Sequence, residues 1–387
     1  MAKASKNVLR PTSSLITEVD EVMKKIQKTS FDISFNELLD MKVAGELEIS
    51  PDFQRLFRWS TEAQSRFIES LILEMPVPPI YIVEEKNGNY LLIDGLQRIS
   101  SYLHLRGELD APHLSPPIKK GEKLVLKGCD IVEALNGKSF DDLSTAIQIR
   151  LKRNFIRVEV IRKASDARFK YHMFKRLNSA GIKLTDQQIR NATIQLLDSA
   201  FNNFIKKLSK ESDFSHCISI LSTQQKISGL PEELVLRFFA LKNNYDGFSH
   251  DVNIFLTDYM ERVSEPNNKA PDKIIFDYLY EEDVFAKTFF VMNATLGDKS
   301  FGLVNKSKVT KVFSVYHYEA FTIGLQSVIK KINISDSSEL KKIHASFLAI
   351  KHDANFKKII TGGGKNSKGP LKQRVDFVRN ILSDLYE

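Results

Sequence analysis

The sequence predicts an α+β protein, a small mixed N-terminal domain followed by an all-helical C-terminal domain. Short extended apolar runs at 79–83, 90–93 and 154–161 lie among segments of helical spacing. From about residue 196 onward nearly every apolar pattern has helical spacing, with Pro and Gly confined to joints. At 387 residues the chain can hold two or three domains, and no internal repeat is visible. The boundaries read as an extension over 1–33, a mixed domain over 34–195 and a helical domain over 196–387.

The elements follow in order. Residues 1–33 are polar, with a weak helical pattern over 15–26. Ser34-Phe-Asn-Glu37 reads as a capping box opening a short helix through Met41, stopped by Gly45. An extended piece over 47–53 leads to Gln54-Arg55 and Arg58-Trp59. Ser60 caps an amphipathic helix whose Ala63, Phe67, Leu71 and Met75 recur every four residues, and Pro76, Pro78 and Pro79 end it. A hairpin follows, 79–83 and 90–93 about Asn87-Gly88, and its second strand delivers Asp94. A helix runs from just after Arg98 to Arg106, and Gly107 stops it. Residues 108–142 are loop-rich with one expected strand at 123–126. A helix over 145–152, a strand over 154–161 and a helix over 166–177 come next, the last ending at Asn178-Ser-Ala-Gly181. Thr185-Asp-Gln-Gln188 caps a helix running towards Phe204.

Composition narrows the function. No run of about 18 apolar residues exists, so no transmembrane helix is expected. The polar start carries no secretory signal, and Cys129 and Cys217 make no metal pattern, so a cytoplasmic protein with reduced thiols is expected. Residues 150–190 carry twelve Lys/Arg against three acids, a net +9 in a chain of +8. A second basic stretch, 351–374, carries seven Lys/Arg and one acid. Clustered cations suggest a polyanion, nucleotide or nucleic acid, although solvated helix faces give the same pattern. The histidines show no metal spacing, and no nuclease motif is evident. Thr361-Gly-Gly-Gly-Lys365 is not a phosphate loop, because Ile359 and Asn366 occupy positions that require Gly and Ser/Thr.

The strongest candidate site is Tyr90-Leu-Leu-Ile-Asp-Gly-Leu-Gln-Arg98, at a strand-to-helix junction where backbone N–H groups favour an anion. Gly95 permits a sharp turn and close approach of a ligand. Arg98 opposes the helix dipole unless an anion lies between them. Asp94 can hold a magnesium ion or orient a water, and Gln97 can bind a base, a ribose or that water. The same residues also read as an Asp–Arg pair that locks the turn. Arg55, Arg58 and Trp59 suit stacking and phosphate contact, or core packing in the case of the tryptophan.

The ordered series Gln54-Arg55, Arg58-Trp59, Glu69-Ser70, Pro76 to Tyr81, Ile93 to Arg98, Phe174-Lys-Arg-Leu-Asn178, Gly181 and Leu184 resembles the ParB/sulfiredoxin-like domain of GmrSD-type restriction proteins (domain of unknown function 262). The resemblance covers about 35–195. It implies a nucleoside triphosphate site, with Mg2+, formed by Asp94, Gly95, Gln97 and Arg98, with Arg55 and Asn178 as neighbours and Asp94 and Gln97 as catalytic residues. Leu96 stands where the family has Gln, which bears on hydrolysis more than on binding. The sulfiredoxin branch's cysteine is not present in the motif. The expected function is a nucleotide-binding, weakly hydrolysing sensor in a restriction-like phage-defence system, with DNA and a protein encoded nearby as partners. A DNA-binding module without hydrolysis and an antitoxin-like regulator of a nuclease remain the alternatives.

Overall fold

Five short runs pair into one mixed sheet of order β1-β5-β3-β4-β2. They are β1 (Lys28–Ser34), β2 (Leu47–Glu48), β3 (Ile80–Glu84), β4 (Tyr90–Asp94) and β5 (Phe155–Ile161). Strands β1/β5 and β3/β4 are antiparallel, and β5/β3 and β4/β2 are parallel. Ile80, Ile82, Leu92, Ile93, Ile156, Val158 and Val160 are all buried there. Each fully buried side chain of this size contributes about 1.5–3 kcal/mol. The structure, a computed structural model, describes residues 12–24, 26–54, 57–85, 87–165, 167–179, 185–194, 197–249, 251–267, 270–305, 308–362 and 364–387.

The chain divides into two compact units, Met1–Leu184 and Thr185–Glu387. The first carries the sheet and seven described helices: α1 (Thr12–Lys24), α2 (Phe35–Ala44), α3 (Pro51–Gln54), α4 (Thr61–Ile72), α5 (Leu96–Arg106), α6 (Thr145–Arg153) and α7 (Ala167–Ser179). Ser34 and Ser60 cap α2 and α4 through their hydroxyls, as their sequence positions predict. Gly45 and Gly107 close α2 and α5 in left-handed conformations.

Several details depart from the sequence reading. Strand β1 falls within the segment read as an extension, and it pairs with β5 over its whole length, Lys28 opposite Ile161 and Ser34 opposite Phe155. Residues 47–53 are a two-residue strand and one helical turn rather than one extended piece. Residues 123–126 form no strand, because their backbone bonds go to separate places: Leu124 N–H to His104 O and Leu126 N–H to Lys138 O. The helix expected from Thr185 towards Phe204 is two helices, the second capped by Asp198.

The second unit is helical: α8 (Asp186–Thr193), α9 (Ser199–Leu208), α10 (Ser212–Cys217), α11 (Thr223–Ile227), α12 (Leu230–Asn243), α13 (Val252–Val263), α14 (Tyr278–Thr295), α15 (Val315–Gly324), α16 (Ser337–His352), α17 (Ala354–Ile360) and α18 (Lys368–Ser383). One antiparallel hairpin, β6 (Gly302–Asn305) with β7 (Lys308–Phe313), corrects the all-helical expectation for this part of the chain. Its core is aromatic: Phe285 lies 4.4 Å from Phe289, and Phe289 4.9 Å from Phe214, centroid to centroid. A buried chain of charges runs through it, Arg190–Glu233–Arg237–Glu319–Arg374.

Candidate functional site: the strand-to-helix junction at Asp94

Strand β4 ends at Asp94 and α5 begins at Leu96, so Gln97 and Arg98 belong to the helix's first turn rather than preceding it. Gly95 is the cap residue, with φ of 103°. A Cβ there would lie 2.4 Å from Ile80 Cγ2, so the turn requires glycine on both backbone and steric grounds. No side chain caps α5, and its first turn contains no acid. Its N-terminal dipole is therefore balanced by no carboxylate within the helix.

Arg98 lies mostly within the protein. Its Nη2 donates to Asp94 Oδ2 at 3.0 Å and to Pro79 O at 3.1 Å. Its Nε is buried with no hydrogen-bond partner among the described residues. The side chains are 16% exposed for Arg98 and 31% for Asp94, so the pair opens to solvent on the carboxylate side. The turn-locking pair foreseen in the sequence is thus present, and it leaves the buried Nε–H without an acceptor.

Gln97 acts differently. Its Oε1 accepts from the backbone N–H of Arg58 at 3.0 Å and of Trp59 at 3.1 Å. Gln64 Nε2 donates to Trp59 O at 2.9 Å, and Gln64 Oε1 lies 2.8 Å from His104 Nδ1. Burial lowers the pKa of His104, keeping the ring neutral in this relay. Helices α4 and α5 therefore clamp the 57–59 segment from both sides. That clamp holds the Arg58 backbone against Gln97 in the first turn of α5, and no hydrogen bond or ion pair to the Arg58 guanidinium is found among the described residues. Arg58 was weaker than Asp94 as a sequence candidate, because nothing in the spacing tied it to the motif forty residues later.

The remaining expected residues divide. Helix α7 packs on β4, and Phe174 meets Phe53 at 5.3 Å, which brings the end of α7 towards the strand that carries Asp94. Asn178 stands one turn beyond Phe174 in α7, and its side chain lies outside the described residues. Arg55, Gly181 and Leu184 lie outside them as well. Leu96, expected to bear on hydrolysis, is 4% exposed and belongs to the core. Glu69, another motif residue, is buried and structural: its carboxylate accepts from Ile131 N–H at 3.1 Å and Val132 N–H at 2.7 Å, anchoring the 129–132 loop.

The group the motif implies is a nucleoside triphosphate with Mg2+. Phosphates are compatible with the uncapped helix start and with a guanidinium whose buried Nε–H has no partner, and the Arg58 backbone reaches Gln97 in the same first turn. A protein-held metal fits less well. Asp94 Oδ2 is engaged by Arg98, and no cluster of three or more His, Cys, Asp or Glu forms a metal site among the described residues.

The basic segments are less available than their charge suggests. Arg150 pairs with Glu74, Arg157 with Asp32 and Glu159, and Arg162 with Glu84. Arg190, Lys351 and Arg374 are buried. Arg153, at the end of α6, and Phe155, at the start of β5, are both exposed, as are Lys163, Arg176, Lys358 and Lys372. No described helix is long and apolar enough to cross a membrane.

Residues 35–195 match the family described as GmrSD restriction endonuclease, N-terminal domain. No curated protein and no solved structure matches the chain.

Proposed function

We propose that this chain, which carries a GmrSD-type restriction domain over residues 35–195, uses that domain to bind a nucleoside triphosphate and so regulate a defence response. The observation that supports this most is the spare buried Nε–H of Arg98 at an uncapped helix start. A phosphate oxygen would meet the helix start, and a shift of the Asp94–Arg98 pair would bring the Arg98 donor to it. In this reading Arg98 and Arg58 hold phosphates, Gly95 lets the chain approach them, and Asp94 orients Arg98. Gln97 positions Arg58 through its backbone rather than meeting the nucleotide through Oε1. Any Mg2+ would come bound to the phosphates, with Asp94 as the available carboxylate. In this reading hydrolysis is slow, because the Gln97 acceptor that could orient a water already receives two backbone N–H groups.

The test is a titration of ATP and GTP into wild type, Arg98→Ala and Arg58→Ala, with and without Mg2+. Both variants should lose affinity at least about tenfold, as expected for a charge-assisted phosphate contact. Arg58→Ala should do so with an unchanged melting temperature. Equal affinities in all three proteins would remove the site assignment.

A second reading, DNA contact, draws on the exposed Phe155, two residues from the exposed Arg153. An exposed aromatic next to cations suits stacking on an unpaired base. Phe155→Ala should then weaken binding to single-stranded more than to duplex DNA.

A further inference from the structure

Helix α1 presents an apolar stripe that its own chain leaves open among the described residues. Leu15 is 56% exposed, Ile16 59%, Val19 48%, Val22 51% and Met23 62%. At 100° per residue these five fall within about 60° of Val19 on either side. Their spacing is also symmetric about Val19: Ile16 and Val22 lie three residues away, Leu15 and Met23 four. A closed two-fold interface needs a surface that matches itself, and this symmetry supplies one.

We propose that α1 is a self-association helix, pairing antiparallel with α1 of a second copy about a two-fold axis at Val19. In that arrangement Leu15 lies level with the other copy's Met23, and Ile16 with its Val22. A parallel pair would not require the symmetry, and it would align the helix dipoles unfavourably. The five side chains expose roughly 500 Å2 on each copy, so a pair buries roughly 1,000 Å2, about the minimum for a specific interface. The charges set the strength. Glu18 and Asp20 flank the stripe on opposite sides. The two-fold brings each towards its own equivalent. Such exposed repulsion is small and screened by salt, so it weakens the pair without forbidding it. The pair should therefore tighten as salt is added, the reverse of an interface held by opposite charges.

The experiment is sedimentation equilibrium on the full chain, from nanomolar to high micromolar concentration, at low and high salt. Wild type should form a dimer that tightens with salt. Val19→Asp should raise the dissociation constant at least about a hundredfold, because it places two carboxylates at the centre of the stripe. Asp20→Asn should lower it, a gain that misfolding cannot produce. Oxidation should cross-link Val19→Cys across the axis. It should leave Leu15→Cys unlinked, since those residues sit about 12 Å apart along an antiparallel pair. The native thiols are buried and give little background. A wild-type monomer at every concentration would overturn the proposal and leave the stripe to a partner whose groove is rimmed by Lys and Arg. So would a dimer indifferent to Val19→Asp, or Leu15→Cys that cross-links as readily as Val19→Cys.

Discussion

At position 97 a side-chain oxygen does the work of a missing turn, taking two backbone N–H groups from the 58–59 segment. Removing it should strand both donors. Gln97→Ala is expected to cost about 1–3 kcal/mol in urea unfolding, whereas Gln97→Glu, which keeps the acceptor, should cost less. Equal losses in the two variants would show that the amide N–H, not Oε1, carries the contact. Two residues upstream the constraint is conformational. Gly95→Ala must hold a positive φ and push against Ile80, so a loss of about 1–3 kcal/mol is expected in the same assay. Leu96 lies between them and faces inward. Leu96→Gln introduces the amide that the sequence resemblance leads one to expect there, yet buries it. It should destabilise by about 1–3 kcal/mol without raising hydrolysis. An equally stable variant that hydrolyses ATP faster than wild type would contradict this.

At the scale of elements, Glu69 shows how a helix can order a loop that has no strand of its own. It reaches from α4 to the N–H groups of Ile131 and Val132, while Asn136 bridges Cys129 N–H and O. Glu69→Ala should cost about 3 kcal/mol, since hydrogen bonds to a buried charge are among the stronger ones. Amide exchange at 131 and 132 should rise before global unfolding, and uniform exchange would argue against a local anchor. The same loop marks where sequence reasoning ends. The hairpin, the Ser60 cap and the Gly107 stop were legible because each depends on a few adjacent residues. Strand β1 was not, because Thr29, Phe31 and Ile33 alternate among polar neighbours and only Ile33 is fully buried against β5. Residues 123–126 had strand composition but no partner strand. At the site, Asp94, Gly95 and Arg98 could be read locally. The role of Gln97 could not, since its partners lie nearly forty residues away.

At the scale of the whole chain, the +8 charge is not a measure of what a polyanion would meet. Arg237 and Arg374 flank Glu319 inside the helical unit, and Lys351 lies buried with Nζ 3.1 Å from Gly302 O and over the Phe321 ring. Beside it His317 is buried, with neither ring nitrogen hydrogen-bonded among the described residues, and packs on Phe321 and Phe356. Burial, reinforced by Lys351, lowers the His317 pKa to about 3, and burial lowers that of Lys351 to about 7. Both folded values lie below the unfolded ones, so the unfolded chain binds the proton first as pH falls. Stability is therefore lost through His317 between pH 6.5 and about 3, and through Lys351 between pH 10.5 and about 7. Each group contributes a slope of up to about 1.4 kcal/mol per pH unit within its window. The Lys351 window is best read below the range in which tyrosines ionise. Between mildly alkaline pH and neutrality, wild type should lose stability steadily as pH falls, and Lys351→Met should remove that slope while gaining stability at neutral pH. His317→Phe should leave the alkaline slope intact and flatten the acid one. Urea midpoints across pH for the three proteins would separate the two groups. An unchanged alkaline slope in Lys351→Met would mean that the buried amine keeps its proton and that its attraction to Gly302 O and the Phe321 ring outweighs its desolvation.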